Sequence, residues 1–459
     1  MIRSARLLST THDTQKQTGN KEDNEHFFRH TGDRFLWDEP RQLSQRYIRF
    51  NIDELASLAV RAAEAVSHGS RRCVDIEKLP DGMLSKVVRF TMDDGFQAVR
   101  KIPNPNAGLP HFTTASEVAT MDFMRNVLGT PVPKVFFWSS TTDNAVGAEY
   151  ILMENVRGVQ LNSAPSAEYT DRNGQHVVDD RFAVGPSMSR QNIDDGRAEF
   201  DFDRGPWHTA EDYERATGLR ESYCIRNIPQ LPRSPIAIHY SGTYRPSREK
   251  KLLAAESYLK LVKYLILDDE STRTSHIWHD DLHTENIFVN PDDPSEIFGF
   301  IDWQSTELAP LYFVHKRGTR LFKTLEYQQT LCFHLLLFAR NLLLDGEATY
   351  LAILADQQQE SWAGIPKISH CKEGPPLSFS KDMLEEFKRD NEDATASIML
   401  MQKAKQMIGK QYAQAKGVVN HEQFAKAREI IPRMKEEFIQ KYARDNEEVR
   451  ELDRAWPFD

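Results

Sequence analysis

The sequence predicts an α+β protein in two lobes, with strands concentrated early and helices later. Three observations predict it. Period-two runs such as "SKVVRFTM" and "FQAVRKI" crowd the first third of the chain, a single helical stripe interrupts them, and helical stripes dominate from about residue 250 onward. The domains expected from these changes of period are a leader or polar tail over residues 1–25 and an arm with a helix over 26–70. A strand-rich lobe follows over 71–155. A helix-rich lobe over 156–375 contains an irregular insertion at 162–249, and a helical extension closes the chain over 376–459.

The elements follow in order. "FFRHTGDRFLWDEPRQLSQRYIRF" is dense in aromatics and reads as an arm packed on the body. "NIDELASLAVRAAEAV" has Asn51 as N-cap and an apolar stripe at Leu55, Leu58, Ala59 and Ala62, which is a helix. Asp94-Gly95 between two β-rich runs is a hairpin turn. "TTASEVATMDFMRNVLG" is a helix stopped by Gly129, and "VPKVFFWSS" and "AEYILMENV" are strands. Between Asn162 and Glu249 only "TAEDYERATGLRESY" carries a firm helical stripe. "SREKKLLAAESYLKLVKYLIL" is a helix, the polar stretch "HIWHDDLHTENIFV" comes next, and "IFGFIDW" is a return strand. The remainder reads as helical and ends in one charged helix from about His421 to Arg454, whose charges suit a solvated face with i,i+4 pairs.

Composition excludes several classes. The 459 residues carry 58 Lys+Arg against 68 Asp+Glu, a net charge of −10, so there is no electrostatic footprint for nucleic acid. Cys73, Cys224, Cys332 and Cys371 stand far apart without a CxxC pair, which suggests neither a zinc module nor a disulfide framework. No apolar run approaches the roughly 18 residues of a membrane span. "MIRSARLLSTTH" holds Arg3 and Arg6, several hydroxyl residues and no acid, the composition of a short mitochondrial transit peptide or of an untargeted polar terminus.

The stretch from His279 to Asn286 carries the chemistry. Six polar groups packed beside an apolar strand are costly to desolvate unless paired or bound to an ion. Phosphoryl transfer from ATP needs Mg²⁺ on phosphate oxygens and a carboxylate to orient the attacking hydroxyl. Asn286 and Asp302 supply the hard oxygen ligands that magnesium prefers, and Asp281 is then free to be the catalytic base. The run between Asn286 and Asp302 reads as two strands around a Pro/Asp turn, which returns Asp302 to the side of Asn286. A solvated surface loop would not explain the flanking Ile301 and Trp303. Lys101, at the end of "FQAVRKI", suits a phosphate-pairing lysine, with Glu117 on the following helix as its partner. Arg100 is a rival for that role, since a register shift of one residue exchanges the two; alternation puts Val99 and Lys101 on one face and Arg100 on the other. "LPDGMLSKVV" is the candidate phosphate cover, through Gly82 and Ser85, and a simple hairpin turn is the competing reading. Met153, Glu154 and Asn155 suit an interlobe hinge whose backbone meets an adenine edge.

His279 belongs to the catalytic loop, where such histidines brace the backbone more often than they touch substrate, and His283 shares that role. A rival reading groups His279, Asp280, His283 and Asp302 as a divalent-metal hydrolase site, with the two histidines at i and i+4. Asp179, Asp180, Asp194 and Asp195 would suit a cationic substrate or plain loop solvation.

"HDDLHTENIFV" followed by "GFIDWQ" resembles the signature of aminoglycoside phosphotransferase-like kinases. "AVRKIPNP", "RGPWHTAEDY", "IDWQSTELAPL" and the final "WPFD" resemble one fungal branch of that superfamily, altered inheritance of mitochondria protein nine. The resemblance runs from about Phe27 to the C-terminus. It implies a two-lobed protein-kinase-like fold, ATP and Mg²⁺ as cofactors, a small-molecule hydroxyl acceptor and a mitochondrial address. By position it gives Asp281 the base, Asn286 and Asp302 the metal, Lys101 the phosphates and Glu117 its support. Three departures stand out. Asp280 replaces a common Gly, Gly82-Met83-Leu84-Ser85 replaces a glycine-richer loop, and the segment between Leu161 and "FAVGP" is short. The thin loop keeps a second expectation open, a pseudokinase acting as a mitochondrial interaction or assembly factor.

Overall fold

The computed structural model describes residues 24–67, 72–160, 182–269, 273–314, 326–413 and 417–459. The predicted transit segment, the Asp179–Asp180 pair and most of the short post-hinge segment lie outside them. The remaining chain builds the two lobes that the alternation of periods predicts.

The arm contributes β1 (Arg34–Phe35). Helix α1 (Ile52–Ser67) starts where Asn51 Oδ1 accepts from Glu54 N at 3.2 Å, as a short amide side chain before an apolar stripe should. Next come β2 (Cys73–Lys78), β3 (Ser85–Met92) and β4 (Gln97–Pro103). The β3–β4 turn is set by Gly95 at φ 86°, a conformation Gly adopts without Cβ strain. Helix α2 (Phe112–Asn126), β5 (Val135–Ser139) and β6 (Tyr150–Glu154) complete the smaller lobe. Its five-stranded antiparallel sheet has the order β2-β3-β4-β6-β5, with α2 inserted between β4 and β5. Alternation seals the lobe: Leu55, Ala59 and Ala62 of α1 bury against Val88, Phe90, Ala98 and Leu152.

The larger lobe begins with β7 (Val159–Gln160). Helices α3 (Ala210–Asn227) and α4 (Arg248–Leu265) are capped by Thr209 and Ser247, whose hydroxyls accept from Asp212 N and Lys250 N. Strands β8 (Ser275–Trp278), β9 (Ile287–Val289), β10 (Ile297–Phe300) and β11 (Glu307–Pro310) frame the polar loop. Helices α5 (Leu331–Ala339), α6 (Glu347–Gln359) and α7 (Lys381–Ile408) follow. The core of this lobe joins Tyr258, Leu261, Leu335, Leu351 and Leu354. A separate cluster, Met121, Met124, Ile287, Val289, Phe300 and Trp303, packs α2 onto the β9–β10 hairpin and so links the lobes beside the polar loop.

The terminal region corrects one expectation. β12 (Val418–Val419) pairs with β1, and the single charged helix divides into α8 (His421–Tyr442) and α9 (Asn446–Ala455). The break is chemical. Asp445 is extended and accepts from Glu447 N and Glu448 N, so it starts a new helix.

Candidate active site

The site is built on the 279–286 loop between β8 and β9. Its shape comes from backbone and amide bonds: His283 N donates to Asp281 O at 3.0 Å, Asn286 N to His283 O at 3.0 Å, and Asn286 Nδ2 to Asp281 O at 2.8 Å. Asn286 is buried, whereas the Asp281 side chain is 64% exposed, with His283 Nε2 3.4 Å from its Oδ2. The loop therefore spends its amides on its own form and presents one carboxylate outward.

His279 is buried. Its Nε2 donates to Ile301 O at 2.9 Å, and its ring meets Trp303 edge-on at 4.8 Å. A carbonyl only accepts, so Nε2 carries the proton. Burial pushes the imidazole pKa below its ordinary value, which keeps the ring neutral. His279 is a brace that couples the loop to the strand leading into Asp302. Among the described residues no three His, Cys, Asp or Glu side chains converge as metal ligands, so the hydrolase grouping of His279, Asp280, His283 and Asp302 is not assembled.

The β9–β10 hairpin brings the two ends of the motif together. Phe300 pairs with Ile287, and Ile301 N donates to Asn286 O at 3.0 Å, so Asp302 stands beside Asn286. Asp302 has φ 63°, a left-handed conformation that costs a non-glycine residue energy and is tolerated where the surroundings over-determine it. Those surroundings are visible. Trp303 is buried and donates from Nε1 to Phe300 O at 3.0 Å, and Gln304 donates to Ala107 O at 3.0 Å.

Lys101 joins the lobes. Its Nζ lies 2.8 and 3.0 Å from the Glu117 carboxylate oxygens and 2.5 Å from Asp302 Oδ1. Arg100 points to the other face of β4, where its guanidinium lies between Phe50 and Tyr150 at 4.9 and 5.1 Å. Burial alone lowers the pKa of the Lys101 ammonium, but Asp302 and Glu117 outweigh it and hold the group above the usual lysine range. The Lys101 charge in turn holds the Asp302 carboxyl below its ordinary value. Burial, reinforced by Asp302, keeps Glu117 above the usual carboxylate range despite Lys101. One cation thus faces two carboxylates, and the surplus negative charge lies on the side where Asn286 and Asp281 stand. The donor chemistry fits a hard divalent cation: Asp302 and Asn286 offer oxygen, with coordination left for water and phosphate.

The other predicted positions surround this core. Gly82 N donates to Ser85 O at 3.1 Å, closing a tight turn at the head of β3, and Ser85 is buried. Met153 packs into the interlobe cluster, Glu154 accepts from Lys134 N at 3.2 Å, and Asn155 donates to Gln97 Oε1 at 2.9 Å. Asp194 and Asp195 are engaged by Arg190 and Arg197.

One acidic position escaped sequence reading. Glu307 of β11 pairs with Trp278 of β8, two residues before Asp280. Burial pushes its carboxyl up to about 7; Arg340 opposes the rise, and Asp280 adds to it. Glu307 lines a narrow polar cleft with Ser187, Asp203, Trp207, Tyr213 and Arg340. The quoted segments "RGPWHTAEDY" and "IDWQSTELAPL" contain Trp207, Tyr213 and Glu307, but no local spacing connects them.

Comparison with known proteins identifies the family of the chain. The model of the phosphotransferase enzyme family matches residues 75–313. A subtelomeric hrmA-associated cluster protein of Aspergillus fumigatus is 31% identical over 305 residues, covering 52% of this chain and 59% of that protein. Altered inheritance of mitochondria protein 9 of Yarrowia lipolytica is 24% identical over 371 residues, covering 65% of this chain and 62% of that protein. The chain thus spans less than two thirds of the length of either relative. A solved macrolide 2'-phosphotransferase from Brachybacterium faecium is 15% identical, with 75% of this chain and 97% of that one covered at a TM-score of 0.27. With the motif residues His279, Asp281, Asn286 and Asp302 inside the matched span, the chain belongs to the phosphotransferase enzyme family.

Proposed function

We propose that the protein is an ATP- and Mg²⁺-dependent phosphotransferase that transfers the γ-phosphoryl group to a hydroxyl of a small molecule. The observation that carries the reading is the bridge from Lys101 to both Glu117 and Asp302, with Asp281 and Asn286 on the adjoining loop. Lys101, oriented by Glu117, is the cation for the nucleotide phosphates. Asp302 and Asn286 would hold the Mg²⁺, which when bound neutralises charge on the phosphate oxygens. Asp281 accepts the hydrogen bond of the acceptor hydroxyl and takes its proton as the oxygen attacks. Its exposure supports that role, because an acceptor can reach it without any rearrangement of the loop. The names of the yeast relatives and the Arg- and hydroxyl-rich first residues support a mitochondrial location.

Two observations favour the alternative, a pseudokinase. The phosphate-covering turn has a single glycine, Gly82, and Lys101 is already neutralised by Asp302. Titration of Mg²⁺-ATP into wild type and Asp302→Ala, followed by calorimetry, separates the two. Saturable binding that the substitution abolishes supports the kinase. Absence of binding in wild type rejects it in favour of the pseudokinase.

A further inference from the structure

We propose that residues 30–46 form a strap that sets the position of the 80–85 turn and ties it to the C-terminal helices, with Arg46 and Asp81 as its positioning residues. The assignment of that turn to nucleotide phosphates rests on the kinase reading; the mechanical coupling does not.

The small-lobe end of the strap is polar and buried. Asp81 Oδ2 accepts from Thr31 N at 2.8 Å and from Thr31 Oγ1 at 3.3 Å, and it pairs with Lys78 Nζ at 2.8 Å. The Asp81 and Lys86 side chains are fully buried, and Lys86 Nζ and His30 Nδ1 each lie 3.7 Å from the same oxygen. A Cβ on Gly32 would come within 3.0 Å of Asp81 O, so the arm backbone lies directly against the turn. Arg46, also buried, donates from Nε to Met83 O at 3.1 Å and from Nη1 to Gln42 O at 2.8 Å. An internal carbonyl of the Gly82–Ser85 turn is therefore held by a cation from outside the sheet.

The opposite end is seated on the C-terminal extension. Phe35, which lies 4.5 Å under the Arg46 guanidinium, belongs to β1 and pairs with Val418 of β12. Leu36 N donates to Gly417 O at 2.9 Å, and the Trp37 ring meets Phe458 at 5.7 Å. Arg34 is held by Glu39 and lies 3.8 Å over the Phe424 ring of α8. One continuous chain of contacts thus runs from Met83 through Arg46 and Phe35 to α8 and the terminal aromatic residues.

The physical consequence follows from the sequence of the turn. A glycine-rich loop adapts to phosphates by its own flexibility. A turn with one glycine does not, and must be placed by its surroundings. The strap supplies that placement and makes it depend on the seating of the C-terminal helices.

Amide hydrogen exchange on the full chain tests the coupling without nucleotide. Exchange of the 80–85 segment should accelerate about tenfold in Arg46→Ala, by local opening. It should return toward wild type in Arg46→Lys, which keeps one donor for Met83 O. Arg34→Gln, at the far end of the strap and partly exposed, should accelerate the same segment while α4 stays protected. Wild-type exchange at 80–85 in either Arg46→Ala or Arg34→Gln overturns the proposal. Accelerated exchange in a chain that fails to bind Mg²⁺-ATP leaves the strap standing and rejects the kinase reading alone. Where nucleotide binds, Arg46→Ala should raise KM for ATP more than it lowers kcat, and the Lys variant should restore KM.

Discussion

Two of the buried charge constellations among the described residues differ in one respect. In the larger lobe, Glu214 accepts from Arg340 at 2.8 Å and from the Tyr312 and Tyr258 hydroxyls at 3.0 and 3.2 Å. Next to it, Glu221 accepts from Arg197, from Arg220 and from Leu343 N. All these side chains are enclosed by protein, and each carboxylate is fully served by it. Between the lobes, Lys101 and Glu117 are equally buried, but Asp302 is 40% exposed and adjoins a loop whose Asp281 is more exposed still. Charge closed on itself holds helices together. Charge with an open side is arranged for something that arrives.

The sharpest way to break this comparison is to remove a charge from each. Asp281→Asn should lower ATP turnover by about 10²- to 10⁴-fold, the usual contribution of a positioned acid–base group. Its thermal midpoint should stay at the wild-type value, because the Asp281 side chain is solvated. A matching loss of stability would make the loop structural and erase the distinction.

Arg340→Leu should do the reverse. Leaving Glu214 buried without its cation costs about 3–5 kcal/mol. Denaturant unfolding would report this as a lowered midpoint, while Mg²⁺-ATP affinity of the folded fraction is retained. The double replacement Glu214→Leu with Arg340→Leu should cost less than the sum of the single changes, since neither charge is then stranded.

Glu307 stands between the two classes, and its pH dependence shows which it joins. Its carboxyl is raised from 4.5 to about 7, chiefly by burial. Between those values the folded chain binds the proton more tightly than the unfolded chain, so stability falls as pH rises from about 4.5 to about 7. The integrated effect is on the order of 3 kcal/mol. Glu307→Gln should flatten that slope in unfolding midpoints measured across the window. An unchanged slope would show that Glu307 is already ionised at low pH and belongs with the closed network.

Much of this was legible in the sequence because it is local. Asn51 announces α1, Asp94-Gly95 announces the β3–β4 turn, and alternation along β4 separates Lys101 from Arg100. The spacing from Asp281 through Asn286 to Asp302 is likewise a hairpin read along the chain. What escaped was pairing at a distance. The Glu307–Trp278 register and the two-residue ladder of Arg34–Phe35 on Val418–Val419 leave no period to read. The Arg340–Glu214 bond joins residues 126 apart. Asp445 shows a different failure: its N-cap role was present in the residues, but the surrounding run of charges looked like one continuous helical face.

The mildest test lies on the same pair of helices as the closed network. Arg226 of α3 reaches Glu256 of α4 at 2.7 Å, slightly closer than Arg340 to Glu214, but both side chains are 50% exposed. Water competes for each charge and salt screens the pair, so exposed ion pairs contribute about 0.2–1 kcal/mol. Arg226→Ala should therefore shift the denaturant midpoint slightly, and the shift should shrink further in high salt. If instead it matched Arg340→Leu, distance rather than enclosure would govern these helices, and the contrast between closed and open charge would lose its physical basis.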